Sequence, residues 1–347
     1  MKTHFFKIIL VALCITMNTA TAQNEAKQFE KVQNEIINLI NLPNPTFSPD
    51  IVPKPMTPEA IADLGFEQTY KNISQKFTMR DGKQLFSYVY KSESNTTIIL
   101  LHGILSSSYL MNQTAGLLKE ATNSEVVALD FRGHGQSDGK PGDVDYINQY
   151  ADDLEDVISE IKNEKPNQKI ILAGHSMGGG IILRYAMKEN TPKVDGYLLF
   201  APYLGVNSPT VKTTNSVEEQ AFIKLHMNRI IGLKMMNAIG DTTHNNLPVL
   251  FFNLPESMPI TKYSYSANES MSPLDYKKGL SAIDKPLLVV VGSEDEAFDA
   301  YKFTSAVTEN STGEVYIVEN ETHNGVRHNK KAMEVISLWT KNHKLQW

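Results

Sequence analysis

Short apolar runs recur along the chain at intervals that leave room for helices between them. Strands predicted over residues 76–79 and 85–90 flank Asp81-Gly82, a strong signal for a two-residue hairpin. Further apolar runs cover residues 97–101, 126–129, 169–173, 197–200, 287–291 and 315–318. Continuous apolar strands separated by helices are typical of a parallel sheet that is covered on both faces. The pattern predicts an α/β fold with a mostly parallel central sheet, helices on both faces and an antiparallel hairpin at one edge.

One interval interrupts this alternation. Between the strand that ends at Phe200 and the one that starts near Pro286 lie about 85 residues, far more than one crossover connection needs. We therefore interpret residues 205–276 as an inserted cap between two segments of the core domain, residues 74–204 and 277–347. The apolar positions assigned to the central helix of the cap are Phe222, Leu225, Met227, Ile230, Ile231, Leu233, Met235 and Met236.

The first 73 residues differ in character from the core. Residues 1–22 have the features of a signal peptide: a positive start, an apolar run over residues 8–17 and small residues at Ala20 and Ala22. We expect cleavage before Gln23, and therefore export to the periplasm or the medium. Residues 23–73 form a leader with a helix over residues 24–41, a proline-rich stretch and a short helix. The expected N-cap of that short helix is Thr57, with Pro58 as its first residue.

Composition narrows the function classes. The 347 residues are 41% hydrophobic and 21% charged, which is typical of a folded globular protein. The formal charge of -6 is spread along the chain without a basic patch, so we expect no nucleic-acid partner. After residue 22 no apolar run is long enough to span a membrane. The one cysteine, Cys14, lies in the signal segment, where lipidation is an alternative, although Leu13 is larger than the residue that a lipobox needs there.

A candidate nucleophile follows the predicted strand over residues 169–173. Gly174-His175-Ser176-Met177-Gly178 has the pattern G-x-S-x-G, and a glycine-rich helix start comes directly after it. This strand–serine–helix turn is a nucleophile elbow, in which flanking glycines allow the sharp bend that exposes the serine oxygen. We therefore predict that Ser176 is the nucleophile.

A serine needs a base to remove its proton, and the base needs an acid to fix its tautomer. After an elbow of this kind the acid precedes the base along the chain. The strand over residues 287–291 ends in three acids, of which Asp295 is our choice and Glu294 the main competitor. Elimination by position leaves two histidines after the last strand. We assign His323 as the base and expect His328, near the start of the final helix, to be a surface residue.

The negative oxygen of a tetrahedral intermediate needs two hydrogen-bond donors. One is expected to be the backbone N–H of Met177, directly after the nucleophile. The second is expected from the loop after residues 97–101, where we assign the N–H of Ile104. No histidine pair has metal-ligand spacing near suitable acids, so we expect no metal and no other cofactor.

Together these segments resemble the monoacylglycerol lipase-like, or serine aminopeptidase-like, branch of the α/β hydrolases. The resemblance covers residues 75–342 apart from most of the cap. The matching segments are residues 101–103, 130–137, 174–179 and 292–295, with His323. It implies the α/β-hydrolase fold and the triad of Ser176, Asp295 and His323. Ile104 departs from the pattern, because it is bulkier than the small residue often found after the His-Gly pair.

The expected function is an exported serine hydrolase that cleaves small carboxylic esters with an apolar acyl group, such as an acylglycerol or a lysophospholipid. One alternative is a serine peptidase or amidase of the same fold, which would need cap acids to bind a substrate amine. The acids available in the cap are Glu218, Glu219, Asp241, Glu256, Glu269 and Asp275. Another alternative is a non-catalytic binding protein, since a retained fold does not establish retained chemistry.

Overall fold

The computed structural model describes residues 19–50, 55–212 and 222–346. Most of the predicted signal peptide lies outside these residues, as do Glu218 and Glu219. Within the described ranges no helix has both the length and the apolar character needed to cross a bilayer.

A central sheet of eight strands organises the core, and its order is β1-β2-β4-β3-β5-β6-β10-β11. From β4 to β11 neighbouring strands run parallel, whereas β1 and β2 pair antiparallel at one edge. The strands are β1 (Ile73–Thr78), β2 (Gln84–Tyr90), β3 (Thr96–Leu101), β4 (Glu125–Leu129), β5 (Lys169–His175), β6 (Gly196–Phe200), β10 (Leu287–Gly292) and β11 (Glu314–Val318). The predicted mostly parallel sheet with an edge hairpin is confirmed, with strand ends that differ by a few residues.

Both faces of this sheet are buried, because successive side chains of a strand point to opposite faces. In β3, Ile99 and Leu101 belong to one apolar cluster, and Ile98 and Leu100 belong to the other. This two-sided burial explains why the central strands have continuous apolar sequences.

Ten α-helices belong to the described residues. They are α1 (Thr19–Ile40), α2 (Pro58–Asp63), α3 (Asn112–Thr122), α4 (Gln149–Glu164), α5 (Met177–Ala186), α6 (Met227–Ala238), α7 (Tyr265–Ser270), α8 (Tyr276–Ser281), α9 (Lys302–Thr308) and α10 (Lys330–Asn342). Helices α3 and α10 pack together with one apolar cluster, while α4, α5 and α8 pack on the other. Short 3-10 turns occupy Ser108–Met111 and Gly325–Arg327.

The predicted cap interval holds a small second sheet, in the order β7-β8-β9. Its strands are β7 (Ile223–Leu225), β8 (Pro248–Phe252) and β9 (Lys262–Ser264). The central helix of the interval, α6, begins at Met227, so the assignment of Phe222 and Leu225 to that helix is wrong. Leu225 instead ends β7, since this short strand obtains its hydrogen bonds from β8.

The chain divides into two compact units. One comprises the described part of residues 1–46 together with residues 225–245, and in it α1 packs against α6. The buried guanidinium of Arg229 donates from Nε to the carbonyl oxygen of Ile40 at 2.7 Å and from Nη2 to that of Leu42 at 2.8 Å. These bonds satisfy the carbonyl of the last residue of α1 and that of a residue just beyond it, neither of which has a partner within the helix.

The other unit comprises residues 47–224 and 246–347 and contains the central sheet. Its leader helix α2 begins as predicted, because the Thr57 hydroxyl accepts the N–H of Ala60 at 3.1 Å and Pro58 is the first residue. All of the predicted site residues lie in this unit.

Candidate active site

Ser176 lies between β5 and α5 with a backbone φ of 53° and ψ of -114°. Positive φ is uncommon for residues other than glycine and marks a strained turn. The turn requires glycine at Gly178, because a Cβ there would lie 2.6 Å from the carbonyl oxygen of Leu101. The Ser176 N–H donates to the carbonyl of Phe200 at 3.0 Å, which ties the elbow to β6. The local geometry is that of a nucleophile elbow.

Asp295 is the acid that points into the protein. Its side chain is fully buried, and Oδ2 lies 2.8 Å from Nδ1 of His323. The other oxygen, Oδ1, accepts the N–H groups of Ala297 and Phe298, both at 2.8 Å. The carboxylate is therefore fixed with one oxygen on the backbone and the other on the histidine.

The two neighbouring acids differ from Asp295. Glu294 and Glu296 are both exposed. Glu296 nevertheless takes part in the site, because its Oε2 accepts the backbone N–H of His323 at 3.0 Å. The structure thus brings Asp295, and not Glu294, to the candidate base.

His323 follows β11 and is largely buried. Because a carboxylate only accepts, Nδ1 carries the hydrogen that bonds Asp295, and Nε2 has a free lone pair. The His323 carbonyl accepts Nε2–H of His175 at 3.0 Å, and the two rings lie 4.7 Å apart. Burial holds the pKa of His175 well below its ordinary range, so this contact is with a neutral ring. The loop that carries His323 is therefore held by hydrogen bonds to three groups of this residue: its ring, its backbone N–H and its carbonyl.

The geometry leaves the candidate nucleophile and the candidate base free for a substrate. Among the described residues, neither Ser176 Oγ nor His323 Nε2 has a hydrogen-bond partner. Such bonds commonly tighten only when a substrate is bound. Ser176 and His323 are linked through the ring of His175, which directly precedes the serine.

The expectation that His328 is a surface residue is wrong. His328 is half-buried, its Nε2 is shielded from solvent, and burial lowers its pKa to about 3. It ends the 3-10 turn and precedes Asn329, the N-cap of α10. Packing of this turn against the core encloses the ring, and no carboxylate among the described residues orients it as Asp295 orients His323.

The two assigned oxyanion donors come from adjacent elements. Met177 is the first residue of α5, so its N–H has no acceptor within the helix. Ile104 lies in the loop after β3, and a Cβ at the preceding Gly103 would lie 3.4 Å from Cβ of Ser176. The loop therefore approaches the elbow closely. Within the described chain neither N–H has an acceptor, which leaves both for a ligand.

The segment from Asp130 to Ser137 supports the loop beside the site. The buried carboxylate of Asp130 accepts the N–H of Ser108 at 2.5 Å and that of Gln136 at 2.8 Å. Burial raises the pKa of Asp130 despite these bonds. The contacts agree with a structural role for this motif.

Sequence reasoning assigned no role to His175, Glu296 or Lys212. Lys212 donates from Nζ to the carbonyl of Asp295 at 2.6 Å. The sequence offers a signal for two of them, because His175 directly precedes the candidate nucleophile and Glu296 directly follows the candidate acid. Among the residues that the structure describes, no cluster of three or more histidines, cysteines or acids could hold a metal ion.

Comparison with known proteins agrees with this architecture. A family model described as "Serine aminopeptidase, S33" matches residues 92–328. The monoacylglycerol lipase of Mycolicibacterium smegmatis is 32% identical over 91 residues, which are 26% of this chain and 32% of that protein. The monoglyceride lipase of Rattus norvegicus is 29% identical over 135 residues, 38% of this chain and 44% of that protein. The matched segments therefore span less than half the length of these two relatives.

Solved structures show the same fold. An esterase of Pyrococcus furiosus superposes with a TM-score of 0.54 at 18% identity, covering 87% of this chain and 99% of that one. A monoacylglycerol lipase of Paleococcus ferrophilus gives a TM-score of 0.50 at 20% identity, covering 79% of this chain and 99% of that one. These likenesses confirm the predicted fold class.

Proposed function

Because the chain belongs to the serine aminopeptidase (S33) family of hydrolases, we propose that it cleaves carboxylic esters with Ser176, Asp295 and His323 as catalytic triad. The observation that carries this proposal is the buried Asp295–His323 hydrogen bond of 2.8 Å in the same unit as a strained Ser176. A carboxylate that orients a histidine beside an elbow serine is the arrangement that nucleophilic acyl transfer requires.

The reaction proceeds in two halves. His323 Nε2 takes the Ser176 proton as Oγ attacks the ester carbonyl, and the carbonyl π electrons move to its oxygen. The N–H groups of Ile104 and Met177 stabilise that oxyanion, and such a donor contributes about 3–4 kcal/mol to the transition state. The intermediate collapses, His323 gives its proton to the departing alkoxide, and an acyl-serine remains. Water, deprotonated by His323, then attacks the acyl-serine. The acyl–Oγ bond breaks, the acid leaves, and His323 returns the proton to Ser176 Oγ.

The proposed substrates are small esters with an apolar acyl group, such as an acylglycerol or a lysophospholipid. Two observations support this class. The Phe298 ring lies 5.2 Å from the His323 ring, and Tyr203 stacks on Phe298 at 6.1 Å, so aromatic surface adjoins the base. Several similar proteins are named monoacylglycerol lipase, monoglyceride lipase or esterase.

The proposal includes export through the N-terminal signal peptide. The positive residues Lys2 and Lys7, the apolar run over residues 8–17 and the small residues before Gln23 support it. N-terminal sequencing of the protein recovered outside the cytoplasm tests this point. We expect Gln23 as first residue; an intact Met1, or a lipid on Cys14, would contradict it.

The activity test compares wild type with Ser176→Ala on p-nitrophenyl esters of increasing acyl length. We expect the variant to lose at least about 10⁴-fold in kcat, because no other group supplies the nucleophile. Ser266→Ala is a matched control, since its buried hydroxyl has no partner among the described residues and its activity should be unchanged. The acyl length that gives the highest kcat/KM indicates the length of acyl chain that the site accommodates.

Three outcomes would contradict the proposal. Full activity in Ser176→Ala would exclude this serine as nucleophile. Faster cleavage of aminoacyl amides than of every ester would favour the peptidase function. Wild type that neither hydrolyses esters nor reacts with a fluorophosphonate would favour a binding protein. Of the described cap acids, Asp241 already bonds Thr243, and Asp275 caps α8, which leaves fewer acids to bind a substrate amine.

A further inference from the structure

One side chain from the cap interval reaches the loop that carries Ile104. Tyr263, in β9, is fully buried, and its hydroxyl accepts the backbone N–H of Leu105 at 3.0 Å. The same hydroxyl lies 2.9 Å from Nε2 of His134. Strand β9 is fixed on the core, because the Ser264 N–H donates to the carbonyl of Gly142 at 2.9 Å. The hydroxyl therefore has a defined position.

The directions of these hydrogen bonds follow from what each group can donate. Nδ1 of His134 lies 3.0 Å from the carbonyl oxygen of Arg132, and a carbonyl only accepts, so Nδ1 carries the hydrogen. Burial lowers the pKa of His134 to about 3, so the ring is neutral and Nε2 is an acceptor. Tyr263 must then donate its hydrogen to His134 and accept from Leu105. None of these hydrogen-bonded groups can rotate without losing a hydrogen bond.

The backbone at Leu105 needs such support. Its φ is 57°, in the left-handed region, which costs a non-glycine residue about 1–2 kcal/mol. A loop held in this conformation without an external bond would relax toward a more favourable one. The Tyr263 hydroxyl binds the N–H of this strained residue and opposes that relaxation.

Ile104 lies between two peptide units that are both fixed. The unit before it has the Gly103 carbonyl, which accepts Nδ1–H of His102 at 2.7 Å. The unit after it has the Leu105 N–H, which Tyr263 holds. Because a trans peptide is planar, fixing the Gly103 carbonyl also fixes the opposite direction of the Ile104 N–H. The Gly103 anchor acts on this peptide unit directly, and the Leu105 anchor acts on it through the backbone dihedral angles of Ile104.

We propose that Tyr263 is a positioning residue of the oxyanion hole: through Leu105, its hydroxyl keeps the Ile104 N–H directed at the substrate oxygen. This inference rests on the proposed function, because Ile104 is a donor only if Ser176 attacks a carbonyl. A packing role alone would need only the ring, which lies 5.7 Å from His134 and 6.0 Å from Phe252.

Tyr263→Phe keeps the ring and removes only the hydroxyl, so it separates the two roles. We expect kcat to fall about 10- to 100-fold, less than the loss of a whole donor, with KM changed by less than about twofold. The ratio of the rate on a p-nitrophenyl ester to the rate on its thionoester should also fall. Sulfur is a weaker hydrogen-bond acceptor than oxygen, so hydrolysis of the thionoester depends less on the oxyanion hole. Tyr150→Phe is the control, since its buried hydroxyl has no partner among the described residues, and we expect wild-type kcat.

Amide hydrogen exchange tests the anchor without relying on activity. In wild type the Leu105 amide should be protected, and in Tyr263→Phe the peptide over residues 104–107 should exchange faster. If Tyr263→Phe does not fold, rapid exchange of Leu105 in wild type still overturns the proposal. Unchanged kcat and thionoester ratio in folded Tyr263→Phe overturn it as well. If Ser176→Ala retains activity, the proposed function fails instead, while protection of Leu105 still reports the anchor.

Discussion

At the scale of single residues, the site depends on the direction in which one carboxylate points. Asp295 has Oδ1 bound by two backbone N–H groups and Oδ2 bound by His323. Turning the carboxylate would cost both backbone bonds, each worth roughly 1.5–3 kcal/mol net because the acceptor is charged. The backbone of the acid loop thus sets the tautomer of a histidine on another loop. Glu294, one residue earlier, is exposed and has no such bonds to orient it.

We therefore predict that Asp295→Asn lowers kcat about 10⁴-fold with little change in folding. The amide oxygen can still accept the N–H groups of Ala297 and Phe298, which leaves the NH₂ group facing His323. Nδ1 must then accept, its proton moves to Nε2, and the base can no longer take the Ser176 proton. Steady-state kinetics on a p-nitrophenyl ester measure the loss. Glu294→Gln should retain wild-type kcat, and an equal loss in both variants would refute the assignment of the acid.

At the scale of elements, prediction from sequence succeeded where burial imposes a pattern. The central strands are buried on both faces, so their apolar runs located them. The glycines around Ser176 predicted the tight turn there, because a side chain at Gly178 would meet the backbone of Leu101. Asp295 was predicted to lie near His323 because the carboxyl ends of neighbouring parallel strands meet at one edge of the sheet, and the two side chains are in contact. These inferences needed only local sequence and the order of the strands.

The short strands of the cap interval could not be predicted from the pattern of apolar residues. Strands β7 and β9 have three residues each, too few for a period to appear, and they exist because β8 pairs with them. The bond from Tyr263 to Leu105 joins residues 158 positions apart and leaves no local signal. The bonds of Arg229 to the carbonyls after α1 are equally non-local. Buried polar contacts between distant segments are where the sequence alone was insufficient.

At the scale of the whole molecule, several buried histidines link stability to pH. His102 and His134 are neutral in the folded state, because burial lowers their pKa values to about 4 and about 3. Both rings are fully used: His102 bonds the Gly103 carbonyl and the Phe131 N–H, and His134 bonds the Arg132 carbonyl and Tyr263. A proton on either ring would break an accepting contact and place a charge in the core. In the unfolded chain the same groups have ordinary pKa values near 6.5.

The sign of the pH effect follows from proton counts. Between the folded and the unfolded pKa the unfolded chain binds more protons, so stability falls as pH decreases. The contribution of each histidine is fully present above about pH 6.5 and decreases by about 1.4 kcal/mol per pH unit below it. For His134 this loss continues to about pH 3. Asp153, whose pKa burial raises, acts in the opposite direction, so a difference between variants is more informative than the wild-type curve alone.

We predict that replacing His134 by glutamine makes the stability less dependent on pH. The amide cannot titrate, so below about pH 6 the free energy of unfolding should fall less steeply than in wild type, by about 1.4 kcal/mol per pH unit. Urea unfolding between pH 7.5 and 5 measures both slopes, and the carboxylate contributions cancel in their difference. His343→Gln is the control, because His343 is exposed at the end of α10 and its pair with the exposed Glu314 is screened by solvent, so the slope should stay close to that of wild type. Parallel curves for His134→Gln and wild type would show that His134 titrates alike in the folded and unfolded states, contrary to its burial and its bonds.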